Sequence, residues 1–269
     1  MPMLFEPQIP ELQRHIDHYW IIDDITQLSF GNNQLYAYPG ITPDMIIVLE
    51  GYYTIDYMGK RLKSNKSQLF SFIHKEVVMD LTHLKSCIII KFKSRGLSSL
   101  KPFLDLNSDA LMRDSIAYID DVFDSKIERF KVHLQTLTAA EMAAELDQWL
   151  FTHYTKEREG FVVEMAQEIS ASCDLKTIME ATKYSYSTLE RHFKRDTGLT
   201  PKKFQSLQRY KQAIRELYTT QNADWQHYIH TYGYYDQSHF IKEIKRYTSF
   251  TPAQLLQTPA FIQVRPKYS

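Results

Sequence analysis

The chain has 269 residues, with 32 basic and 32 acidic side chains and no net charge. At 43% hydrophobic and 24% charged it has globular composition and length enough for two ordinary domains, which excludes a disordered or fibrous protein. No apolar run approaches the ~20 residues that span a bilayer, the N-terminal stretch lacks a signal-peptide pattern, and Cys87 and Cys173 have no CxxC partner, so a cytoplasmic protein with no membrane segment, disulfide framework or zinc knuckle is expected.

From Gln34 to Lys93 the pattern predicts strands and tight turns. Met45 to Leu49, Leu69 to Ile73 and Cys87 to Ile90 are short apolar runs rich in β-branched and aromatic residues, and Tyr53 to Tyr57 alternates like a half-buried strand. About six strands with no helical period between them predict an antiparallel sandwich or small barrel. After Gly96 the period becomes helical: Leu97, Leu100, Phe103 and Leu104, then Leu111, Ser115 and Ile119, then Phe123, Ile127, Phe130 and Leu134. Thr138 with Glu141 is a capping-box signature opening an Ala-rich helix to about Tyr154, either core or a dimerisation seam. Lys156 to Gly160 reads as a linker, dividing the chain into domains 1–155 and 156–269. From Phe161 to Leu256 every segment reads as a short helix. The fold class is therefore α+β: a β-rich N-terminal domain with trailing helices, and an all-α C-terminal domain.

The charge is unevenly divided. Residues 161–269 hold 15 basic and 10 acidic side chains, against 17 and 22 in residues 1–160. A basic half attracts polyanions. That half also contains an internal repeat. Thr200-Pro201 recurs as Thr251-Pro252 at an offset of 51, with Leu189, Phe193, Lys194 and Arg195 facing Phe240, Ile244, Lys245 and Arg246; Ile178, Met179 and Tyr184 answer Tyr228, Ile229 and Tyr234 at an offset of 50. Each copy reads as a short apolar helix, a turn at Ser185 or Asp236, and a second helix whose inner face carries apolar residues four apart. Its outer face carries Ser187, Glu190, Arg191 and Lys194 in the first copy, and Gln237, Ser238, Lys242, Lys245 and Arg246 in the second. This is a helix-turn-helix arrangement in duplicate, about 175–196 and 225–247, able to place two reading helices in successive major grooves ~34 Å apart.

Thr188 to Lys194 with Thr197 to Pro201, and Gly233 to Lys242 with Phe250-Thr251-Pro252, resemble the DNA-binding domain of the AraC/XylS transcription regulators. Carried over by position, the resemblance implies base contacts from Ser187, Glu190 and Arg191 in the first copy and from Gln237, Ser238, His239 and Lys242 in the second. Arg and Lys pair with guanine, Gln with adenine and Glu with cytosine, each good pair contributing ~1–3 kcal/mol of discrimination. Lys194, Arg195, Lys202, Lys203, Lys245 and Arg246 are placed for phosphates. The chain departs from the family where Met179 and Ile229 replace a small residue at the helix crossing, where Lys183 and Ser249 replace glycine, and where Lys242 replaces arginine. The larger crossing residues predict a wider interhelical angle or local repacking.

Tyr38 to Ile47 resembles the cupin-like sensor domains of the same regulators. That resemblance implies a small-molecule effector, a homodimer, or both, with promoter DNA as partner and RNA polymerase if the protein activates. No cofactor or catalytic residue is expected, because no GxSxG or phosphate-cradling glycine loop is present. His15 and His18, on a helical or turn segment, lack a third metal ligand nearby, and His74 and His83 lack the clustered cupin motif, so no metal is expected either. Two other classes stay open: a sensor or interaction module without specific DNA binding, and a cupin-type enzyme fused to a DNA-binding domain. The aromatic run Trp225, Tyr228, Tyr232, Tyr234 and Tyr235 reads as core, with Tyr235 the exception.

Overall fold

The computed structural model describes residues 3–27, 33–37, 39–40, 42–57, 59–70, 77–93, 100, 116–119, 126–154, 175–197 and 199–257. The linker expected at Lys156 to Gly160, and Cys173, His74, Phe103 and Phe123, lie outside them.

The N-terminal part is built on two antiparallel sheets. The larger has strand order β1 (Met3–Phe5), β2 (Ile16–Ile22), β9 (Leu84–Phe92), β4 (Asp44–Gly51), β7 (Gln68–Phe70) and β10 (Ile116–Tyr118). The smaller has order β3 (Gln34–Ala37), β8 (Val77–Asp80), β5 (Tyr53–Tyr57) and β6 (Lys60–Ser64). Among the described residues the two sheets stay open and separate, so the sandwich form of the expectation holds there and the closed barrel does not.

Its three longest strands occupy the larger sheet, and alternation decides what each face covers. In β2, β4 and β9, Tyr19, Ile21, Met45, Ile47, Ile88 and Ile90 pack one way, in the same cluster as residues of α2 (Lys126–Leu134) and α3 (Ala139–Thr152). Trp20, Ile22, Ile46, Val48, Cys87 and Ile89 pack the other way, against Leu35, Tyr53, Ile55, Val77 and Met79 of the smaller sheet. Each fully buried aliphatic side chain contributes roughly 1.5–3 kcal/mol of hydrophobic stabilisation before entropic costs. Between the sheets lies an apolar gap of about 10 Å³ lined by residues including Trp20, Ile46, Met79 and Cys87, room for about one water. Burial pushes the Cys87 thiol up to about 12, which keeps it protonated and unreactive at neutral pH.

Two segments differ from expectation. His15 and His18 do not share a helix: His18 lies in β2, whose residues are buried on both faces and so lack the alternation that marks an amphipathic strand. Ile116 to Tyr118, read as helical from the spacing of Leu111, Ser115 and Ile119, forms an edge strand against β7, with Ile116 opposite Phe70. The capping box is present: Thr138 accepts from the Glu141 backbone while the Glu141 carboxylate accepts from the Thr138 N–H at 2.8 Å. The helix it starts is core rather than seam on its inner face, with Met142, Leu146 and Leu150 buried.

The C-terminal part is helical throughout its described residues: α4 (Leu175–Thr182), α5 (Tyr186–Thr197), α6 (Pro201–Thr220), α7 (Trp225–Tyr232), α8 (Gln237–Thr248) and α9 (Pro252–Leu255). Its core gathers Ile178, Leu189 and Phe193 from the first repeat copy with Tyr228, Ile229, Phe240 and Ile244 from the second, around Phe204, Leu207, Tyr210 and Leu217 of α6. Helix α6 also meets the N-terminal part, where the Lys211 ammonium donates to Thr42 Oγ1 at 2.8 Å, near the buried Lys91–Asp44 ion pair. Burial, with Lys91 beside it, lowers the Lys211 pKa to about 8.

Candidate nucleic-acid interface

Each repeat copy folds as two helices joined by a tight turn. In the first, α4 ends at Thr182, and Ser185 accepts from the Thr188 N–H to start α5. In the second, α7 ends on Gly233 in left-handed backbone (φ 67°), and Asp236 accepts from the His239 N–H at 2.7 Å to start α8. The apolar pairs Leu189/Phe193 and Phe240/Ile244 are buried, so the opposite sides of α5 and α8 face solvent.

That outward side holds most of the predicted readers. Ser187 and Arg191 on α5 are exposed, as are Gln237, Ser238 and Lys242 on α8. Glu190 and Lys194 are brought together as an ion pair at 2.7 Å, one turn apart. An exposed pair of this kind contributes only ~0.3–0.5 kcal/mol, so a base or phosphate can displace either partner. His239 is drawn partly inward: its Nδ1 accepts from the Tyr235 N–H at 3.2 Å, and its Nε2 lies 3.9 Å from the Glu243 carboxylate. Among the residues expected at phosphates, Lys202, Lys245 and Arg246 are exposed, and the Arg195 side chain lies outside the described residues. Lys203 of α6 is half-buried, and its pKa is lowered by burial and by Arg246 of α8, so two cations from different helices converge where an anion would relieve both.

Residues 178–258 match the family of the helix-turn-helix domain. They form a helix-turn-helix domain of the AraC type. The AraC-type domain places the chain among DNA-binding transcription regulators. No curated protein sequence matches the chain. Among solved structures it is similar to ToxT from Vibrio cholerae O395 bound to (E)-4-(8-methylnaphthalen-1-yl)but-3-enoic acid, at 13% identity over 86% of this chain and 99% of that one, with a TM-score of 0.45. It is similar also to unsaturated fatty acid bound wild-type ToxT from Vibrio cholerae strain SCE256, at 12% identity over 85% and 95% of the two chains and the same TM-score of 0.45. Among the described residues no helix is long and apolar enough to cross a membrane, and no group of three or more His, Cys, Asp or Glu is placed to hold a metal ion.

A buried polar cluster in the AraC-type domain escaped the sequence reading. Arg209 of α6 grips Glu243 of α8 with two nitrogens, Nη2 reaching Oε2 at 2.7 Å and Nε reaching Oε1 at 3.1 Å, while Ser206 Oγ donates to Oε2 at 3.0 Å. The guanidinium also stacks over the Tyr234 ring, 4.7 Å from its centroid. This cluster fixes α8 against α6 from the side opposite the exposed Gln237, Ser238 and Lys242. The available signal was Glu243 itself, an acid between Phe240 and Ile244 on an otherwise apolar face, which requires a partner.

The glycine departures have a conformational cost. Lys183 and Ser249 both adopt left-handed backbone, φ 59° and φ 60°, and Gly233 occupies the repeat position equivalent to Lys183. A side chain in this region costs roughly 1–2 kcal/mol relative to glycine. Lys183→Gly and Ser249→Gly are each expected to raise stability by about 1 kcal/mol, read as a higher urea midpoint at constant slope; a lower midpoint in either would refute the strain.

Proposed function

We propose that this protein is a sequence-specific transcription regulator whose α5 and α8 read two successive major grooves of promoter DNA. The observation that carries the reading is the duplicated motif itself: two capped helices, each with a buried apolar side and an exposed polar side, joined by the single helix α6. Ser187, Arg191, Gln237, Ser238 and Lys242 act as base readers in this scheme, with Glu190 joining them once Lys194 turns to a phosphate. His239 serves by ordering the turn before α8 as much as by touching a base. Lys194, Arg195, Lys202, Lys203, Lys245 and Arg246 hold the backbone on either side. The N-terminal sandwich sets the oligomeric state or senses a small molecule.

Fluorescence anisotropy of the protein with its own upstream intergenic DNA and with a shuffled duplex, across a salt series, tests the reading. A specific regulator binds the former ~10³-fold or more tightly, with a steep salt slope. Arg191→Ala and Lys242→Ala are expected to lose ~1–3 kcal/mol on the specific duplex only, whereas Lys203→Ala weakens both duplexes alike and flattens the slope. Equal losses on both duplexes for Arg191→Ala would remove it from the readers.

A further inference from the structure

Among the described residues of the AraC-type domain, two large apolar side chains stand exposed: Tyr186, 41% accessible, and Tyr235, 90% accessible. They lie next to the capping residues, Tyr186 just after Ser185 and Tyr235 just before Asp236. Tyr186 is the first residue of α5, and Tyr235 lies two residues before the first residue of α8, so each repeat copy carries one tyrosine at the leading end of its reading helix. The neighbouring aromatics are engaged. Tyr184 stacks on His192 at 5.1 Å between centroids, Tyr234 packs edge-on against Phe240 at 5.0 Å, and Tyr228 lies flat on Phe240 at 5.7 Å. Tyr235 alone of its aromatic run is turned fully outward, while its backbone is pinned by the N–H bond to His239 Nδ1.

An exposed tyrosine gains nothing from water that a smaller polar residue would not, and isolated instances need no explanation. Two that flank the capping residue of the reading helix, one in each repeat copy and each beside the exposed reader face, do. In a helix-turn-helix complex the N-terminal residues of the reading helix meet the base edges, so residues at or just before its start lie at the rim of the groove, beside the sugar–phosphate backbone. A phenol suits that rim: its ring covers a deoxyribose, and its O–H donates to a phosphate oxygen.

We propose that Tyr186 and Tyr235 are two uncharged backbone clamps, one at the rim of each major groove, that fix the register of α5 and α8 without reading sequence. The inference rests on the DNA-binding reading above and adds to it a class of contact that charge and family resemblance do not reveal. It carries a distinctive signature, because a neutral donor displaces no counterion. Losing it lowers affinity without changing the salt slope, unlike the loss of a lysine or arginine.

The test repeats the anisotropy titrations with Tyr186→Ala, Tyr235→Ala, the double Ala variant, and both Tyr→Phe variants, after thermal melts confirm that folding is unchanged. Each Ala variant is expected to bind both the upstream and the shuffled duplex roughly threefold to tenfold more weakly, the size of a hydrogen bond and its packing, with the wild-type salt slope. The double variant should lose the product of the two factors, and each Phe variant only the smaller, hydrogen-bond part. Unchanged affinity in the double Ala variant would overturn the proposal, as would a loss confined to the upstream duplex, which would make the tyrosines base readers. If the wild type binds neither duplex at low salt, the DNA-binding reading fails and takes this proposal with it. If the wild type and Lys203→Ala behave as expected while the tyrosine variants match wild type, the clamp alone fails.

Discussion

Replacing Arg209 by Ala is expected to destabilise the AraC-type domain by about 3 kcal/mol, among the largest single-residue effects in this half of the chain. The guanidinium is 19% exposed and the Glu243 side chain 9%, so removal strands a carboxylate in a site where water cannot replace two charged hydrogen bonds. The Ser206 hydroxyl, at 3.0 Å, would continue to donate to it, with His239 Nε2 3.9 Å away. Removing both charges together should be far milder, because a buried pair gains from attraction little more than desolvation costs it. Arg209→Met with Glu243→Leu is therefore expected to recover most of the loss. Urea titrations of the three proteins decide the matter: a loss under 1 kcal/mol in Arg209→Ala would show that the pair does not hold α8 in place.

In the N-terminal half, Asp147→Ala is expected to cost about 2–4 kcal/mol, from the loss of two hydrogen bonds to a charged group and the stranding of a buried hydroxyl. Asp147 is 3% exposed, and its two oxygens accept from the Tyr19 hydroxyl and the Gln8 backbone N–H, both at 2.6 Å. One carboxylate thereby ties α3 to β2 and to the chain before α1 (Pro10–Gln13). Burial, reinforced by Asp147, raises the Tyr19 phenol above its ordinary pKa, so it remains a donor across the accessible pH range. Adding Tyr19→Phe to Asp147→Leu removes the stranded hydroxyl and should restore part of the stability. Calorimetric melts that left Asp147→Ala within 1 °C of wild type would rule this anchor out.

The elements most legible in the sequence were those with a single dominant pattern. Strands β4 and β9 announce themselves as unbroken β-branched runs, and they pair in register, Met45 opposite Ile90 and Ile47 opposite Ile88. The repeat at offsets of 50 and 51 gave both helix-turn-helix units and the inward side of each reading helix. Where a segment is buried on both faces, as β2 is, no periodicity survives to distinguish strand from helix. Where it is three residues long, as β10 is, its spacing with residues outside it misleads. The exposed sides of α5 and α8 were legible, since an outward polar side follows from an inward apolar one. Contacts between elements were not: Arg209 and Glu243 are 34 residues apart, and nothing local to either names the other. His239 is the instructive case, a position assigned outward by family resemblance whose ring is partly occupied with its own turn.

The two copies of the motif share a backbone plan but not a depth of anchorage. At the end of its first helix the second copy carries Gly233, which accepts the left-handed turn without strain, where the first copy carries Lys183, which does not. Among the described side chains, α8 is fastened by Phe240, Ile244 and Tyr247 and by the Arg209–Glu243 clasp, and α5 by Leu189 and Phe193. Local opening follows such differences, so the backbone amides of α5 should exchange with solvent before those of α8. Without DNA the domain is thus expected to be a lopsided pair of hands, the first opening more readily than the second.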